Sequence, residues 1–169
     1  MIKPNTDLPS LKLPLITDKT WELSGQQSET FTVLVFYRGL HCPVCKAYLE
    51  DLATKLKDFN KRGVKVIAIS SDSEERAKKS GDTWNVPELS IAYNLTEDKA
   101  RAFGLFISNG ISDKEPNVFS EPGVFLVRPD NTLYASAIQT MPFARPNWND
   151  ILNAIDYINK NDYPARGGK

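Results

Sequence analysis

The order of apolar and polar positions predicts strands that alternate with helices along the chain. Residues 31–37 form a near-continuous apolar run of β-branched and aromatic side chains, which is typical of a strand buried on both faces of a sheet. A similar run at 64–69 and shorter runs at 89–93, 123–127 and 133–138 predict four more strands. The last two runs flank the turn sequence Pro129-Asp130-Asn131, so we expect them to pair as a hairpin.

Helical spacing begins at Pro43 and ends near Gly63. Apolar side chains recur there every three or four residues, at Val44, Tyr48, Leu52, Leu56 and Phe59. Further helices are expected after three residues that can cap a helix N-terminus, namely Ser73, Thr96 and Asn147. Residues 107–120 are polar and are expected to form a loop, and residues 1–30 to form short edge strands or irregular structure. This order predicts an α/β sandwich.

Length and charge limit the class of protein. The 169 residues suit one domain over 1–169, and the 21 basic residues balance the 21 acidic ones. A neutral chain argues against a nucleic-acid partner or an anionic membrane partner, both of which favour a basic excess. We see no apolar run of the ~20 residues that span a bilayer, and no export signal at the start. We therefore expect a cytoplasmic protein.

The chain has two cysteines, Cys42 and Cys45, and their spacing suggests redox chemistry. A disulfide across two intervening residues closes too short a loop to stabilise a fold. Structural zinc needs four ligands, and His41 is the one histidine, so we expect no metal. Lys46 follows the second cysteine where covalent haem attachment needs histidine. Two buried cysteines that act as small apolar residues remain the alternative.

The motif Cys42-Pro43-Val44-Cys45 stands where the strand at 31–37 gives way to the first long helix. Proline is favoured at the first helical position, so Cys42 falls near the N-cap and Cys45 in the first turn. Free backbone N–H groups and the positive helix end lower the pKa of a thiol there, and His41 and Lys46 could add positive charge. Such a pair can attack a disulfide or a peroxide and then form an internal disulfide, with no cofactor beyond the cysteines.

The segment 35–46, read Val-Phe-Tyr-Arg-Gly-Leu-His-Cys-Pro-Val-Cys-Lys, resembles the active-site segment of the thioredoxin-like superfamily. More narrowly, it is similar to the peroxiredoxin-like branch of the alkyl hydroperoxide reductase and thiol-specific antioxidant (redoxin) family. The resemblance covers about residues 8–160, including 64–72, 84–93, 96–103 and 122–127. It implies a thioredoxin-like three-layer sandwich, with a central mixed sheet flanked by helices and an N-terminal extension.

The resemblance allows two assignments of the cysteines. The peroxiredoxin pattern makes Cys45 the peroxidatic residue and places Cys42 where threonine or serine is usual. The thioredoxin pattern makes Cys42 the nucleophile and Cys45 the resolving residue. Two peroxiredoxin features are missing, because residues 37–39 lack the upstream proline and residues 120–123 lack the arginine before the late strand.

Four further residues are candidate supports for the cysteines. The resemblance places Pro122 next to the motif and implies a cis peptide bond at Glu121–Pro122. Arg38 and Arg145 could supply positive charge near the sulfurs, with surface solvation or structural pairing as the alternative for each. We expect His41 to be a modulator or a solvent-facing residue, not a general base.

Three functional hypotheses follow. The first is a thiol–disulfide oxidoreductase with antioxidant activity, and the second is a thiol-dependent hydroperoxide reductase with Cys45 as the peroxidatic residue. The third is a non-catalytic module on the same fold that binds a metal or a partner. The first two imply a peroxide or protein disulfide as substrate and a thiol reductant system such as thioredoxin or glutathione. The sequence leaves the oligomeric state open, a dimer included.

Overall fold

The computed structural model describes residues 2–169 and contains a central sheet between helices. The strands are β1 (Lys12–Pro14), β2 (Thr20–Glu22), β3 (Phe31–Phe36), β4 (Val64–Ile69), β5 (Ser90–Ala92), β6 (Ile107–Asn109), β7 (Val118–Ser120), β8 (Gly123–Val127) and β9 (Leu133–Ile138). The helices are α1 (Pro43–Lys61), α2 (Glu74–Thr83), α3 (Glu97–Ala102) and α4 (Trp148–Asn161), and a 3-10 turn spans Leu23–Gly25.

The central sheet has five strands in the order β5-β4-β3-β8-β9. Strands β3, β4 and β5 run parallel, whereas β8 and β9 are antiparallel to their neighbours, so the sheet is mixed. Two smaller sheets, β1–β2 and β6–β7, are antiparallel pairs. The expected mixed sheet and the expected hairpin of β8 with β9 are confirmed.

Strand β3 lies at the centre, and all six of its residues are buried. Its side chains alternate between two apolar clusters because successive residues of a strand point to opposite faces. Val33 and Val35 pack in the cluster that includes residues of α1 and α4. Leu34 and Phe36 pack with residues of α3 and of the N-terminal segment. The molecule is therefore the three-layer sandwich that the sequence predicts.

The helix starts agree with the capping residues expected from the sequence. The side chains of Ser73, Thr96 and Asn147 accept backbone N–H groups at the starts of α2, α3 and α4. Helix α1 begins at Pro43, with Cys42 as its N-cap. None of these helices is long and apolar enough to cross a membrane, within the residues described.

The loop expected at 107–120 is wrong in part. Strands β6 and β7 pair there as a hairpin, with Ile107 opposite Ser120 and Asn109 opposite Val118. Each strand has only three residues, so the pairing leaves little trace in the local apolar pattern. Phe119 is the buried anchor of the hairpin.

Candidate active site at the start of helix α1

The backbone after strand β3 delivers Cys42 to the N-terminus of α1. Gly39 has a φ of 126°, in the region that favours glycine, and its carbonyl accepts the N–H of Cys42 at 3.1 Å. The carbonyl of Cys42 in turn accepts the N–H of Lys46 at 3.1 Å, which is the first hydrogen bond of the helix. The loop and the helix together fix the position of the Cys42 side chain.

The two sulfurs face each other inside the protein. Both cysteines are free thiols, with residue exposures of 2% for Cys42 and 0% for Cys45. The Sγ of Cys42 accepts the backbone N–H of Cys45 at 3.2 Å. A hydrogen bond between the two thiols makes them direct neighbours, and an internal disulfide between them stays a prediction.

The environment separates the acidities of the two thiols. A hydrogen bond from the Cys45 thiol, the Cys45 backbone N–H and Arg145 together lower the pKa of Cys42 to about 5, although burial opposes them. Burial and the neighbouring Cys42 raise the pKa of Cys45 well above its ordinary value. The directions of the two pKa shifts, together with the backbone N–H that Cys42 accepts, favour the thiolate on Cys42 and the protonated thiol on Cys45.

Arg145 brings a positive charge to both sulfurs. Its Nη2 lies 3.4 Å from the Sγ of Cys45 and 3.9 Å from the Sγ of Cys42. Two other guanidinium nitrogens, Nε and Nη1, are buried without a hydrogen-bond partner among the described residues. Of the two alternatives for this residue, the structure therefore favours charge near the sulfurs over surface solvation.

The segment 141–147, which we call the strap, holds Arg145 in place against α1. The hydroxyl of Tyr48 donates to the carbonyl of Pro146 at 2.7 Å, and the indole of Trp148 donates to the carbonyl of Tyr48 at 3.0 Å. The two rings stack with centroids 4.3 Å apart, and the Arg145 guanidinium lies 5.5 Å from the Tyr48 ring centroid. Residues far apart in sequence thus meet at one site.

Arg38 directs its side-chain charge away from the sulfurs. Its Nε lies 3.3 Å from an oxygen of Glu121, and its Nη2 lies 3.9 Å from an oxygen of Glu115. Its guanidinium also covers the Phe119 ring at 4.9 Å. A backbone hydrogen bond from Arg38 favours the charged form of Cys45. For Arg38 the structure therefore favours structural pairing, with Glu115 and Glu121, over a charge near the sulfurs.

Of the two alternatives for His41, a modulator or a solvent-facing residue, the solvent-facing one is wrong, and the positive charge it could have added is not present at pH 7. Its side chain is 3% exposed, and its Nε2 lies 3.8 Å from an oxygen of Glu115. The ring packs on Phe119 at 4.7 Å. Burial, aided by the charge of Arg38, lowers the pKa of His41, so the ring is neutral at pH 7. Lys46 adds no charge at the sulfurs either, because its Nζ pairs with Glu50 at 4.0 Å.

The cis bond expected at Pro122 is also wrong, because residues 2–169 contain no cis peptide bond. Hydrogen bonds hold the backbone on both sides of Glu121–Pro122. The N–H of Glu121 donates to the carbonyl of Phe106 at 2.8 Å, and the carbonyl of Pro122 accepts the N–H of Gln139 at 3.1 Å. These bonds connect the segment to the β6–β7 pair on one side and to the end of β9 on the other. The Glu121–Pro122 peptide bond is trans, which is the lower-energy isomer.

The sequence reasoning missed three acidic residues that shape the site. Glu115 and Glu121 meet Arg38 from the hairpin that was expected to be a loop. Asp72, which is fully buried, accepts the N–H of Leu40 at 2.8 Å through Oδ2. For Asp72, the available signal in the sequence was an acidic residue three positions after the end of a buried strand.

Within the described residues, no group of three His, Cys, Asp or Glu side chains is placed to hold a metal ion.

Two comparisons with known sequences agree with this geometry. The model of the AhpC/TSA family matches residues 4–136. A 1-Cys peroxiredoxin of Dictyostelium discoideum is 27% identical over 125 residues, which are 71% of this chain and 49% of the relative. The selenocysteine-containing peroxiredoxin PrxU of Peptoclostridium acidaminophilum is 30% identical over 143 residues, 81% of this chain and 66% of the relative. The chain thus spans about half to two thirds of the curated relatives it matches.

Solved structures show the same fold at low sequence identity. The crystal structure of peroxidoxin BcpB from Mycobacterium tuberculosis superposes with a TM-score of 0.76 at 18% identity, covering 94% of this chain and 99% of that one. The reduced 2-Cys peroxiredoxin of Plasmodium vivax gives 0.79 at 16% identity, covering 96% and 84%. With the family match over residues 4–136, the chain belongs to the AhpC/TSA family and has a thioredoxin-like fold.

Proposed function

We propose that the protein is a thiol-dependent peroxidase in which Cys42 attacks the peroxide and Cys45 resolves the product. The observation that carries the proposal is the buried sulfur of Cys42 with a second thiol and a guanidinium beside it. Cys42 accepts the N–H of Cys45, and Arg145 lies within 3.9 Å of both sulfurs. Two neighbouring thiols with a guanidinium beside them are typical of thiol redox chemistry.

In the first step, the Cys42 thiolate attacks one oxygen of a hydroperoxide, ROOH. The new S–O bond forms as the O–O bond breaks, and the leaving alkoxide takes a proton to become ROH. Sulfur is oxidised to sulfenic acid, and the peroxide is reduced. Nε and Nη1 of Arg145 are unpartnered donors, so they are available to stabilise the negative charge that develops on the oxygens.

In the second step, the Cys45 thiol attacks the sulfenic acid of Cys42. A disulfide forms, and the hydroxyl leaves with the Cys45 proton as water. The raised pKa of Cys45 suits this order, because that thiol stays protonated while Cys42 reacts. No other cysteine exists in the chain, so Cys45 is the one intramolecular partner.

This assignment follows the thioredoxin pattern, in which the first cysteine attacks, and not the peroxiredoxin pattern, in which the second one does. The alignment gives Cys45 the peroxidatic role, but burial disfavours its thiolate and the charge sits on Cys42. Cys42 occupies the position of the family's hydroxyl residue and thus replaces a hydrogen-bond donor with a nucleophile. Arg145 offers the positive charge that the segment 120–123 lacks.

Burial of the sulfurs favours a small substrate over a protein disulfide. Exposures of 2% for Cys42 and 0% for Cys45 leave no room for a folded protein to approach in the reduced state. A peroxide has two reacting oxygens and can reach a site of that kind more easily. The solved structure of a Vibrio vulnificus relative, described as reduced Prx3 in complex with hydrogen peroxide, holds such a ligand on the same fold.

We propose a thioredoxin or glutathione system as the reductant that restores the dithiol. A relative from Trypanosoma brucei rhodesiense is named thioredoxin peroxidase, and a yeast structure is described as resolved through glutathione and thioredoxin systems. Such reductants operate in the cytoplasm, which is where we propose that the chain works. The strap or the start of α1 must move to admit them, because both sulfurs are buried.

Steady-state assays of the full chain test the proposal. Peroxide consumption supported by a thioredoxin system is measured alongside reduction of insulin disulfides, in wild type, Cys42→Ser and Cys45→Ser. We expect rapid peroxide consumption in wild type and none in Cys42→Ser. Insulin reduction should be slow in wild type and absent in both variants, because each lacks one of the two thiols. Rapid insulin reduction without peroxide consumption would show a disulfide oxidoreductase instead.

A further inference from the structure

Asp72 is a buried carboxylate with no place in the proposed chemistry. It lies between the end of β4 and the start of α2, and its side chain is 0% exposed. One oxygen, Oδ2, accepts the N–H of Leu40 at 2.8 Å, and the other, Oδ1, accepts Nε of Arg76 at 2.8 Å. A buried charge is costly unless it is paired, and here both oxygens are used, one of them by the backbone of the loop before the cysteines.

The carboxylate also explains why residue 39 is glycine. A Cβ on Gly39 would lie 2.7 Å from Oδ1 and 2.8 Å from Oδ2 of Asp72, closer than real contacts allow. The φ of 126° at Gly39 disfavours any side chain as well. The loop backbone therefore rests directly on the Asp72 carboxylate, with no side chain between them.

The contact continues to the reactive sulfur through the backbone. Asp72 holds the N–H of Leu40, and the adjoining Gly39 carbonyl accepts the N–H of Cys42 at 3.1 Å. Cys42 then presents its Sγ to the N–H of Cys45 at 3.2 Å. Each link is one short hydrogen bond, so a shift of the loop would move the sulfur away from the N–H that stabilises its charge.

We infer that Asp72 is a positioning residue that fixes the Gly39–Cys42 turn and thereby keeps the Cys42 sulfur over the Cys45 N–H. The inference rests on the proposed function only in taking Cys42 as the reactive sulfur. Asp72 does not touch the sulfurs itself. It acts through the loop backbone, whereas Arg145 acts on the sulfurs directly.

The direction of the Cys42 pKa shift distinguishes a positioning role of Asp72 from a purely electrostatic one. A negative charge near a thiol raises its pKa, so removing Asp72, which also frees the positive charge of Arg76, should by charge alone lower the pKa of Cys42. A shift of the loop should raise the pKa of Cys42, because the charged sulfur then loses the hydrogen bond from the Cys45 N–H. Two other titratable groups lie close to Asp72. His41, whose Nδ1 lies 3.5 Å from Nη2 of Arg76, has a lowered pKa and is neutral at pH 7, and burial raises the pKa of Tyr37, so neither side chain changes the sign.

The test titrates the Cys42 thiolate in the full chain carrying Cys45→Ser, so that one thiol is observed. Ultraviolet thiolate absorbance against pH and the rate of alkylation by iodoacetamide are measured with Asp72, Asp72→Ala and Asp72→Asn. For Asp72→Ala we expect the pKa of Cys42 to rise by about one, and alkylation near pH 4, below the pKa of about 5, to slow about tenfold. For Asp72→Asn we expect the pKa to stay at or below that of the Asp72 chain, because the amide oxygen can still accept the Leu40 N–H while the negative charge is lost.

A lowered or unchanged pKa in folded Asp72→Ala would overturn the inference, and so would a rise in Asp72→Asn as large as the rise in Asp72→Ala. If Asp72→Ala does not fold, Asp72→Ser takes its place with the same expected rise, because its shorter side chain also loses the hydrogen bond to the Leu40 N–H. The matched control is Ser73→Ala, which removes the neighbouring N-cap of α2 without touching the loop. An equal rise of the pKa in this control would also overturn the inference, as it would show general loosening. Neither readout needs peroxide turnover, so an inactive enzyme would refute the proposed function and leave this test intact.

Discussion

Replacing Arg145 tests how much of the Cys42 acidity comes from its positive charge. Arg145→Met keeps a long apolar side chain but removes the guanidinium, whose Nη2 is 3.9 Å from the Sγ of Cys42. Within residues 2–169 the contacts of this guanidinium are the two sulfurs and the Tyr48 ring, so the sulfurs lose their positively charged partner. We expect the pKa of Cys42 to rise.

The distance sets the size of the expected rise. Two unit charges about 4 Å apart interact by about 1 kcal/mol in water and by about 4 kcal/mol at the effective dielectric constant typical of protein surfaces. Each 1.36 kcal/mol corresponds to one pKa unit, so the pKa of Cys42 should rise by about one to three. Arg145 is only half-buried, which places the expectation towards the lower end.

The assay is thiolate absorbance against pH in the Cys45→Ser chain, with and without Arg145→Met. The control is Arg62→Met, at the opposite end of α1, where the guanidinium pairs with Asp156 and should leave the thiol unchanged. A rise of less than about half a unit would fall below even the fully water-screened interaction. That result would refute the role of Arg145 at the sulfurs.

Three further predictions concern the same site and its support. The rate at which wild-type Cys42 reacts with peroxide should be flat near neutral pH and fall as the pH drops through about 5, and a midpoint near the ordinary thiol value would contradict this. The reduced chain should lose stability as the pH falls from about 8.5, the ordinary thiol pKa, to about 5, because over that range the unfolded chain binds a proton that folded Cys42 does not. Tyr48→Phe removes the donor to the Pro146 carbonyl and should cost about 1 kcal/mol in urea unfolding, whereas Tyr157→Phe, at an exposed tyrosine, should cost nothing measurable. Leu52→Ala empties a fully buried position on α1 and should cost about 2–5 kcal/mol in the same assay, so a loss below 1 kcal/mol would contradict the packing described.

The central sheet and the helix starts could be predicted because their signals are local. Strand β3 carries an apolar run buried on both faces, and α1 carries apolar residues at helical spacing. Caps such as Ser73 and Thr96 act on N–H groups three residues ahead, so a short stretch of sequence contains the whole interaction. The position of the Cys42–Cys45 motif between these elements was therefore predictable as well.

The partners of the motif could not be predicted, because tertiary contacts bring them together. Arg145 reaches the sulfurs only because Tyr48 holds the strap through a hydrogen bond to Pro146, 98 positions away. The pairing of β6 with β7 has the same character, since three-residue strands are fixed by their partners and not by their own pattern. The burial of His41 follows from that hairpin, through Phe119 and Glu115.

The identity of the attacking sulfur is the central claim, and trapping the first oxidation product tests it most directly. Cys42→Ser and Cys45→Ser chains are each mixed with one equivalent of hydrogen peroxide and dimedone, a reagent that captures sulfenic acid, and the modified residue is located by mass spectrometry. The account predicts rapid labelling of Cys42 in Cys45→Ser and no labelling in Cys42→Ser. Rapid labelling of Cys45 in Cys42→Ser, with Cys42 left unmodified in the other chain, would contradict it.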